Sequence, residues 1–467
     1  MKPLRRVTHA ALTAALTAVC WPAASAPPDA AEAGADAVAT CSLEECVDLA
    51  VAFSPQLRAK AARVDAAVAQ RSSAAGDFLP KLLVDGGVQW WDQALEADLG
   101  GGIPGLPAGS VPPFVIRPAR TWSVNVTLAQ PLTGLWAVYT RHELLDKGVD
   151  VERLEREAAR RAVALDTTEA WLQVALLRDV TAAARASVTA REGDVKRVEL
   201  LVEHGVVEKS QLLRAKLGLS DAERRVVDAQ RQADLGAIRL ATLVGRPVAP
   251  PPGAGGGGNA SDADDGLPAD APLATALTTA RAQRIELRSL LARKEQADTA
   301  VDLAWTRLAP DVSVVAAAQF ATGSELQSSD AYFIGLNLKW TVWDWGATWY
   351  GVEAARAQAR EVDAQLTQLG LGVDLEVRAA VNEVAAARRL VPIARQTLEE
   401  AEESYALVQA RLEEGRATAF DVVDAEEQLT RARIDVGRSI TGWRIARARL
   451  AHAMGGTPEA IAREGTL

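Results

Sequence analysis

The chain has 467 residues, a net charge of −10 and only 5% aromatic residues. Alanine, leucine, valine, arginine and glutamate dominate, which is the profile of long helices, and the acidic balance excludes a nucleic-acid groove. The length allows two or three ordinary domains, but an internal repeat has to be read before any domain count.

Lys2, Arg5 and Arg6 precede an apolar stretch from Ala10 to Trp21, and Ala24-Ser25-Ala26 offers a small-residue cleavage site. Residues 1–26 therefore read as a secretory signal peptide, followed by an extension over 27–41. Its loss would take the charge from −10 to −13. Cys20 follows Thr17-Ala18-Val19, a poor lipobox. Cys41 and Cys46 either form a local disulfide in an oxidising compartment or remain two small buried thiols. No later run reaches about 18 apolar residues, so a membrane crossing would have to use strands.

The first repeat covers 42–245. Ser42-Leu43-Glu44-Glu45 starts a helix with a serine cap and acids in the first turn, and helical spacing continues to Ala75. Beyond Pro80 the period changes to two. Val84, Val88 and Trp90 alternate with Asp85 and Gln89, and Trp122, Val124, Val126 and Leu128 alternate with Ser123, Asn125 and Thr127. This is a strand hairpin over 81–131 around the breaker-rich loop Gly100–Gly105. A helix over 135–203 follows, roughly 100 Å long at 1.5 Å per residue. A shorter helix over 210–243 comes after it, near 54 Å.

A Gly/Pro-rich linker spans 246–271, and then the pattern returns over 272–455. A helix to Arg307 leads into a hairpin over 311–341, in which Tyr332, Ile334, Leu336, Leu338 and Trp340 alternate with Gly335, Asn337 and Lys339. A long helix covers 347–413, with a kink expected at Pro392, and a shorter one covers 418–453. A short C-terminal tail, 456–467, remains. The copies keep register. Phe78-Leu79-Pro80 answers Leu308-Ala309-Pro310 at an offset of 230 residues. Glu203-His204-Gly205 answers Glu413-Glu414-Gly415, and Leu243-Val244-Gly245 answers Ala453-Met454-Gly455, at an offset of 210. The difference is a 20-residue expansion of the first hairpin loop, which belongs in solvent.

Two half-length helices match one long helix end to end, so each copy is a rod with strands at one end and a helical hairpin at the other. Four strands cannot enclose a lumen, because transmembrane barrels start at about eight, and open edges are not tolerated in lipid. Subunits must share the barrel. Trp90, Trp91, Trp122, Trp136, Trp340, Trp343, Trp345 and Trp349 lie near strand ends, as membrane-interface residues or as core aromatics between strand and helix. Asp85, Gln89, Asn125, Thr127, Asn337 and Lys339 would face a water-filled lumen. Histidines are scattered, and the run Gly253–Gly258 lacks the Lys-Ser or Lys-Thr of a phosphate loop, so no catalytic, metal or cofactor motif stands out.

The duplicated helix–hairpin–helix order, Ser42-Leu43-Glu44-Glu45, Phe78-Leu79-Pro80, Gln130-Pro131-Leu132 and above all the run from Glu414 to Ala425 resemble the TolC-like outer membrane factors. The resemblance covers nearly the whole mature chain. It implies an α+β fold, mainly of long α-helices, as an internally duplicated helical barrel with a twelve-stranded transmembrane β-barrel shared by a homotrimer. It also implies a passive export duct through outer-membrane lipid and periplasm, serving an efflux pump or a type I secretion system with a periplasmic adaptor and an inner-membrane transporter. Asp421 and Asp424 match the family's acidic pore gate, although Thr418-Ala419-Phe420-Asp421 also has the spacing of a capping box. Gln211 and Arg214 stand at the matching positions of the first copy. Gly205, Val206, Val207, Gly415, Ala417 and Ala419 match the tips that meet the adaptor, and also suit plain turn chemistry. The competing reading is a periplasmic coiled-coil adaptor or scaffold without a pore, which would have no use for a lipid-facing sheet.

Overall fold

In the computed structural model, residues 39–97, 114–255, 272–321, 330–414 and 416–466 are described. The expected leader, both hairpin-loop tips, most of the linker and Gly415 lie outside them.

Each copy opens with two helices rather than one. The first has α1 (Leu43–Phe53) and α2 (Pro55–Ala75). Ser42 caps α1 through a complete capping box with Glu45. The break falls at Ser54 because Pro55 disfavours helical backbone at the residue before it, and the Ser54 hydroxyl then accepts the Leu57 N–H. The sheet strands β1 (Lys81–Trp90) and β2 (Arg120–Pro131) follow, then α3 (Gly134–Glu203) of 70 residues and α4 (Lys209–Val244) of 36. The second copy has α5 (Leu273–Gln283), α6 (Ile285–Thr306), β3 (Asp311–Ala321), β4 (Asp330–Lys339), α7 (Ala347–Glu413) and α8 (Ala419–Ala453). The single opening helices expected over 42–75 and up to 307 are thus corrected to pairs. Arg284 has no proline after it, yet it breaks the second copy at the position of Ser54 plus 230. Helix α7 runs through Pro392 without interruption. The C-terminal stretch adds α9 (Pro458–Thr466), whose Ile461 and Ala462 are fully buried.

The four strands form one antiparallel sheet in the order β1-β2-β3-β4. The two hairpins meet through β2 and β3, so β1 and β4 are edges. Helix α3 packs against α2 and α6 in its first half and α4 and α8 in its second, while α7 packs against α5, α6 and α8. The half-length helices therefore tile the long ones. Side by side, the distal helices run α4-α3-α8-α7, leaving outer flanks on α4 and α7.

Equivalent cores sit at the middle of each copy. Leu43, Val47, Trp171, Leu172 and Leu240 build the first, and Ala276, Val377, Val436, Trp443 and Leu450 the second. Gly245 ends α4 with a left-handed φ of 83° and presses on Phe53, where a Cβ would come within 2.4 Å of the ring. Gly455 repeats this against Gln283 with a φ of 84°. Gly245→Ala should therefore lower stability by about 1–3 kcal/mol, from backbone strain and overlap together. Gly76→Ala, in right-handed backbone with open space around it, should stay within about 0.5 kcal/mol of wild type. Urea midpoints of the detergent-solubilised protein measure both; equal midpoints would refute this packing of Gly245.

Candidate functional site

The register sets the two faces of the sheet. Asp85 pairs with Asn125, Asn125 with Gln319, Gln89 with Thr121, Thr127 with Leu83 and Ala317, Asn337 with Ser313, and Lys339 with Asp311. Side chains alternate along a strand, so Asp85, Gln89, Asn125, Thr127, Asn337 and Lys339 all share one face. Asn125 Nδ2 donates to Asp85 Oδ2 at 2.8 Å across that face. Thr121, Ser123, Asp311, Ser313 and Gln319 join the same polar surface, with Phe333 and small apolar residues between. The opposite face carries Leu82, Val84, Val88, Trp122, Val124, Leu128, Tyr332, Ile334, Leu336 and Leu338. Along β1 and β4 these apolar side chains are exposed.

The second functional region is the far end of the helices. Gly205 turns the α3–α4 hairpin with a φ of 74°. Val206 points out, while Val207 packs on Val198 and Ala215. In the α7–α8 hairpin Ala417 is half-buried, and Ala419 is the first residue of α8. Gly415 lies outside the described residues. Gln211 is half-buried and Arg214 exposed at the entry to α4.

Asp421 and Asp424 are both exposed, three residues apart and so on one helix face. Asp421 closes a capping box: its Oδ2 accepts the Thr418 N–H and hydroxyl, each at 2.7 Å, while the Thr418 hydroxyl accepts the Asp421 N–H at 3.3 Å. The backbone N–H of Thr418, then its hydroxyl, hold the Asp421 carboxyl below its ordinary range. Asp424 accepts from Gln428 Nε2 at 2.8 Å. The capping role is thus real and leaves the carboxylate exposed. At the opposite end of this region Cys41 and Cys46 are paired as a disulfide, with Cα atoms 5.9 Å apart. Both are buried, and the Cys41 carbonyl accepts the Trp171 indole N–H at 3.1 Å.

Sequence reasoning missed a buried charge cluster about two turns behind the tip. Arg191 on α3 and Glu426 on α8 approach to 2.7 Å with side chains only 5% and 4% exposed. The guanidinium lies off the line of an aligned hydrogen bond to that oxygen, and instead Arg191 Nη2 donates to the Val423 carbonyl. Glu426 Oε1 accepts the Thr430 hydroxyl. Gly218 on α4 makes the space, since a Cβ there would lie 2.7 Å from Arg191 Nη1. Asp194 sits beside them. Burial lifts its carboxyl above the ordinary range and Glu426 adds to this, while Arg197 and Arg191 oppose it. Burial, then Asp194 and Glu426, raise the Tyr405 phenol as well. These contacts tie the α3–α4 hairpin to the α7–α8 hairpin. Arg191 and Glu426 are 235 residues apart and each follows an ordinary helical charge pattern, so only their burial reveals them.

Breaking a buried pair by removing one partner costs about 3–5 kcal/mol, whereas replacing both with apolar side chains is near neutral. Glu426→Leu or Arg191→Met alone should therefore destabilise strongly, and the double variant should recover most of the loss. A denaturation double-mutant cycle with additive losses would refute the coupling.

The outer membrane efflux protein family model matches residues 46–246 and 276–456, one segment for each copy. Among solved structures, the CmeC outer membrane channel of Campylobacter jejuni is 18% identical, with 89% of this chain and 85% of that chain covered and a TM-score of 0.71. VceC of Vibrio cholerae is 19% identical, with 89% and 96% covered and a TM-score of 0.69. The open state of the MtrE outer membrane channel of Neisseria gonorrhoeae is 17% identical, with 89% of each chain covered and a TM-score of 0.69. No curated protein sequence matches the chain. The two family segments fall on the two structural copies, and the chain belongs to the outer membrane efflux protein family, a family of outer-membrane channels rather than enzymes.

Proposed function

We propose that three copies of this chain close into one passive export duct, with a twelve-stranded barrel in the outer membrane and a helical tunnel across the periplasm. The observation that carries the reading is the open sheet. Four strands with an apolar face and two unpaired edges cannot stand alone in lipid. Three copies supply twelve strands and leave no edge, the β4 edge of one copy meeting the β1 edge of the next. The helical body offers matching flanks. Leu213, Leu217, Val227, Leu235 and Ile238 form an exposed stripe on α4, and Leu371, Leu375, Leu390, Ile393 and Leu407 form one on α7. These are the two free flanks of the order α4-α3-α8-α7, so α4 of one copy meets α7 of its neighbour. A poreless periplasmic scaffold would have the helical stripes but no role for the apolar sheet.

In this duct Asp85, Gln89, Asn125, Thr127, Asn337 and Lys339 line the barrel lumen. Asp421 and Asp424 form a ring of six carboxylates at the periplasmic entrance, favouring cations and hindering anions. The Arg191–Glu426 contact, with Asp194 and Tyr405, holds neighbouring hairpins together behind that ring. Gly205, Val206 and Val207 at one tip, with Gly415, Ala417 and Ala419 at the other, meet the periplasmic adaptor of an inner-membrane transporter, in an efflux pump or a type I secretion system.

Leu217→Glu with Leu375→Glu should leave the chain folded but abolish detergent-stable trimers, read by light scattering and circular dichroism. A wild-type protein that stays a detergent-independent monomer would sink the duct. In planar bilayers Asp421→Asn with Asp424→Asn should raise conductance or relieve block by multivalent cations; no change in either removes these aspartates from the gate. The ring's cation preference should be present at neutral pH and fade as pH falls through the carboxylate range. Thr418→Val removes one of the bonds that hold Asp421 low, so Asp421 should protonate at a higher pH. The reversal-potential midpoint should then move to less acidic pH. A midpoint that stays put, or moves to more acidic pH, refutes the role of Thr418.

A further inference from the structure

Between β4 and α7 the chain makes a closed turn. The Asp344 carbonyl accepts the Ala347 N–H at 3.2 Å, and its carboxylate accepts the N–H groups of Gly346 at 3.1 Å and Thr348 at 2.8 Å. The turn holds two successive left-handed residues, Trp345 with a φ of 58° and Gly346 with a φ of 86°. Trp345 is the only non-glycine residue with positive φ among the described residues. Such backbone costs a bulky residue on the order of 1 kcal/mol, which glycine would avoid. The strain brings no burial within the chain. Trp343 and Trp345 are 73% and 87% exposed, with their rings edge-to-face at 5.7 Å. A well-bonded turn thus holds two large apolar side chains away from the protein.

The duplicated frame does not require this. At the matching positions, 210 residues earlier, stand Thr133 and Leu135. Thr133 turns inward, its hydroxyl donating to the Pro310 carbonyl and accepting the Val312 N–H, both at 2.7 Å. Only the second copy presents the aromatic pair. What covers it follows from continuity. The apolar face of β4, through Tyr332, Ile334, Leu336 and Leu338, continues through the exposed Trp340 and Val342 into the turn. That face meets hydrocarbon, and the turn lies where the strand gives way to the periplasmic helices. Indoles favour this layer because their rings are apolar while their N–H stays hydrated.

We propose that Trp343 and Trp345 are a paired anchor in the phospholipid headgroup layer of the periplasmic leaflet, setting the depth of the second copy in the membrane. The proposal rests on the membrane-spanning duct above. Its probe is the full-length trimer in phosphatidylethanolamine–phosphatidylglycerol vesicles doped with phosphatidylcholine brominated either near the glycerol or at mid-chain. The emission lost in Trp343→Phe with Trp345→Phe isolates the pair. That component should be quenched about twofold more by the shallow bromines than by mid-chain bromines or aqueous iodide. Stronger quenching by iodide would place the pair in water, and quenching by none would bury it against a neighbouring copy; either overturns the anchor. Stronger mid-chain quenching would place it too deep and does the same. The remaining tryptophans serve as the control. If no brominated lipid quenches them either, the membrane-spanning reading fails, not the anchor alone. Should the double variant fail to assemble, Trp345→Gly relieves the left-handed strain and must lose the same shallow-quenched signal.

Discussion

The fold depends on one constraint: backbone N–H and C=O groups at a sheet edge cannot be left unpaired in lipid. The β1 and β4 edges each expose such a row, and the adjoining side chains are apolar on one face. The sheet is consequently a fragment of a structure that several chains must complete. The rest of the molecule is compatible with that demand. The helices form a curved layer with free flanks on α4 and α7 instead of a closed bundle, and the leucines on those flanks are left exposed. A monomer with this surface is an intermediate, since apolar stripes of this length seek a partner.

Helix length is the second ordering principle. Tiling two half-length helices against each long one brings two helix ends together midway along α3 and α7. Orphaned carbonyls and N–H groups gather there and need partners. The first copy solves this with the caps at Ser42 and Ser54 and the turn at Gly245. The second uses Arg284, whose buried guanidinium donates to the His452 and Ala453 carbonyls at the end of α8 and grips both oxygens of Glu376. Arg178, Arg444 and Thr441 donate to the carbonyls of Pro250, Ala254 and Gly255, strapping the start of the linker across α3 and α8. The midpoint is therefore the most heavily cross-braced level of the rod, while the tip depends on Arg191, Glu426 and their few neighbours.

Much of this was legible in the residue pattern, because the periods are long and repeated. Alternation from Val84 to Trp90 and from Trp122 to Leu128 is enough to assign faces, and the register then leaves no freedom. Ser54-Pro55 is a helix-start signature inside an otherwise helical run, and the apolar spacing on both sides masked it. At Arg284 no local signal exists at all; the break there is visible only by carrying Ser54 across the repeat. The Arg191–Glu426 pair lay beyond sequence reasoning for a different reason. Charged residues on long helices are mostly solvated, and burial comes from helices brought together across more than two hundred residues.

The two copies keep the same frame and differ at its ends. At the membrane end Thr133 is bonded into β3, while Trp343 and Trp345 project from a strained turn. At the tip Gln211 and Arg214 occupy the places of Asp421 and Asp424. Both differences follow from closing a ring with alternating copies. Identical copies would give six equivalent tips, and twelve carboxylates at one constriction would repel one another and take up protons. Restricting the acids to one copy halves that density, and Arg214 in the other offsets part of it. Duplication supplied the wall, and divergence at its two rims made the two halves inequivalent where the duct meets lipid and where it meets the periplasm.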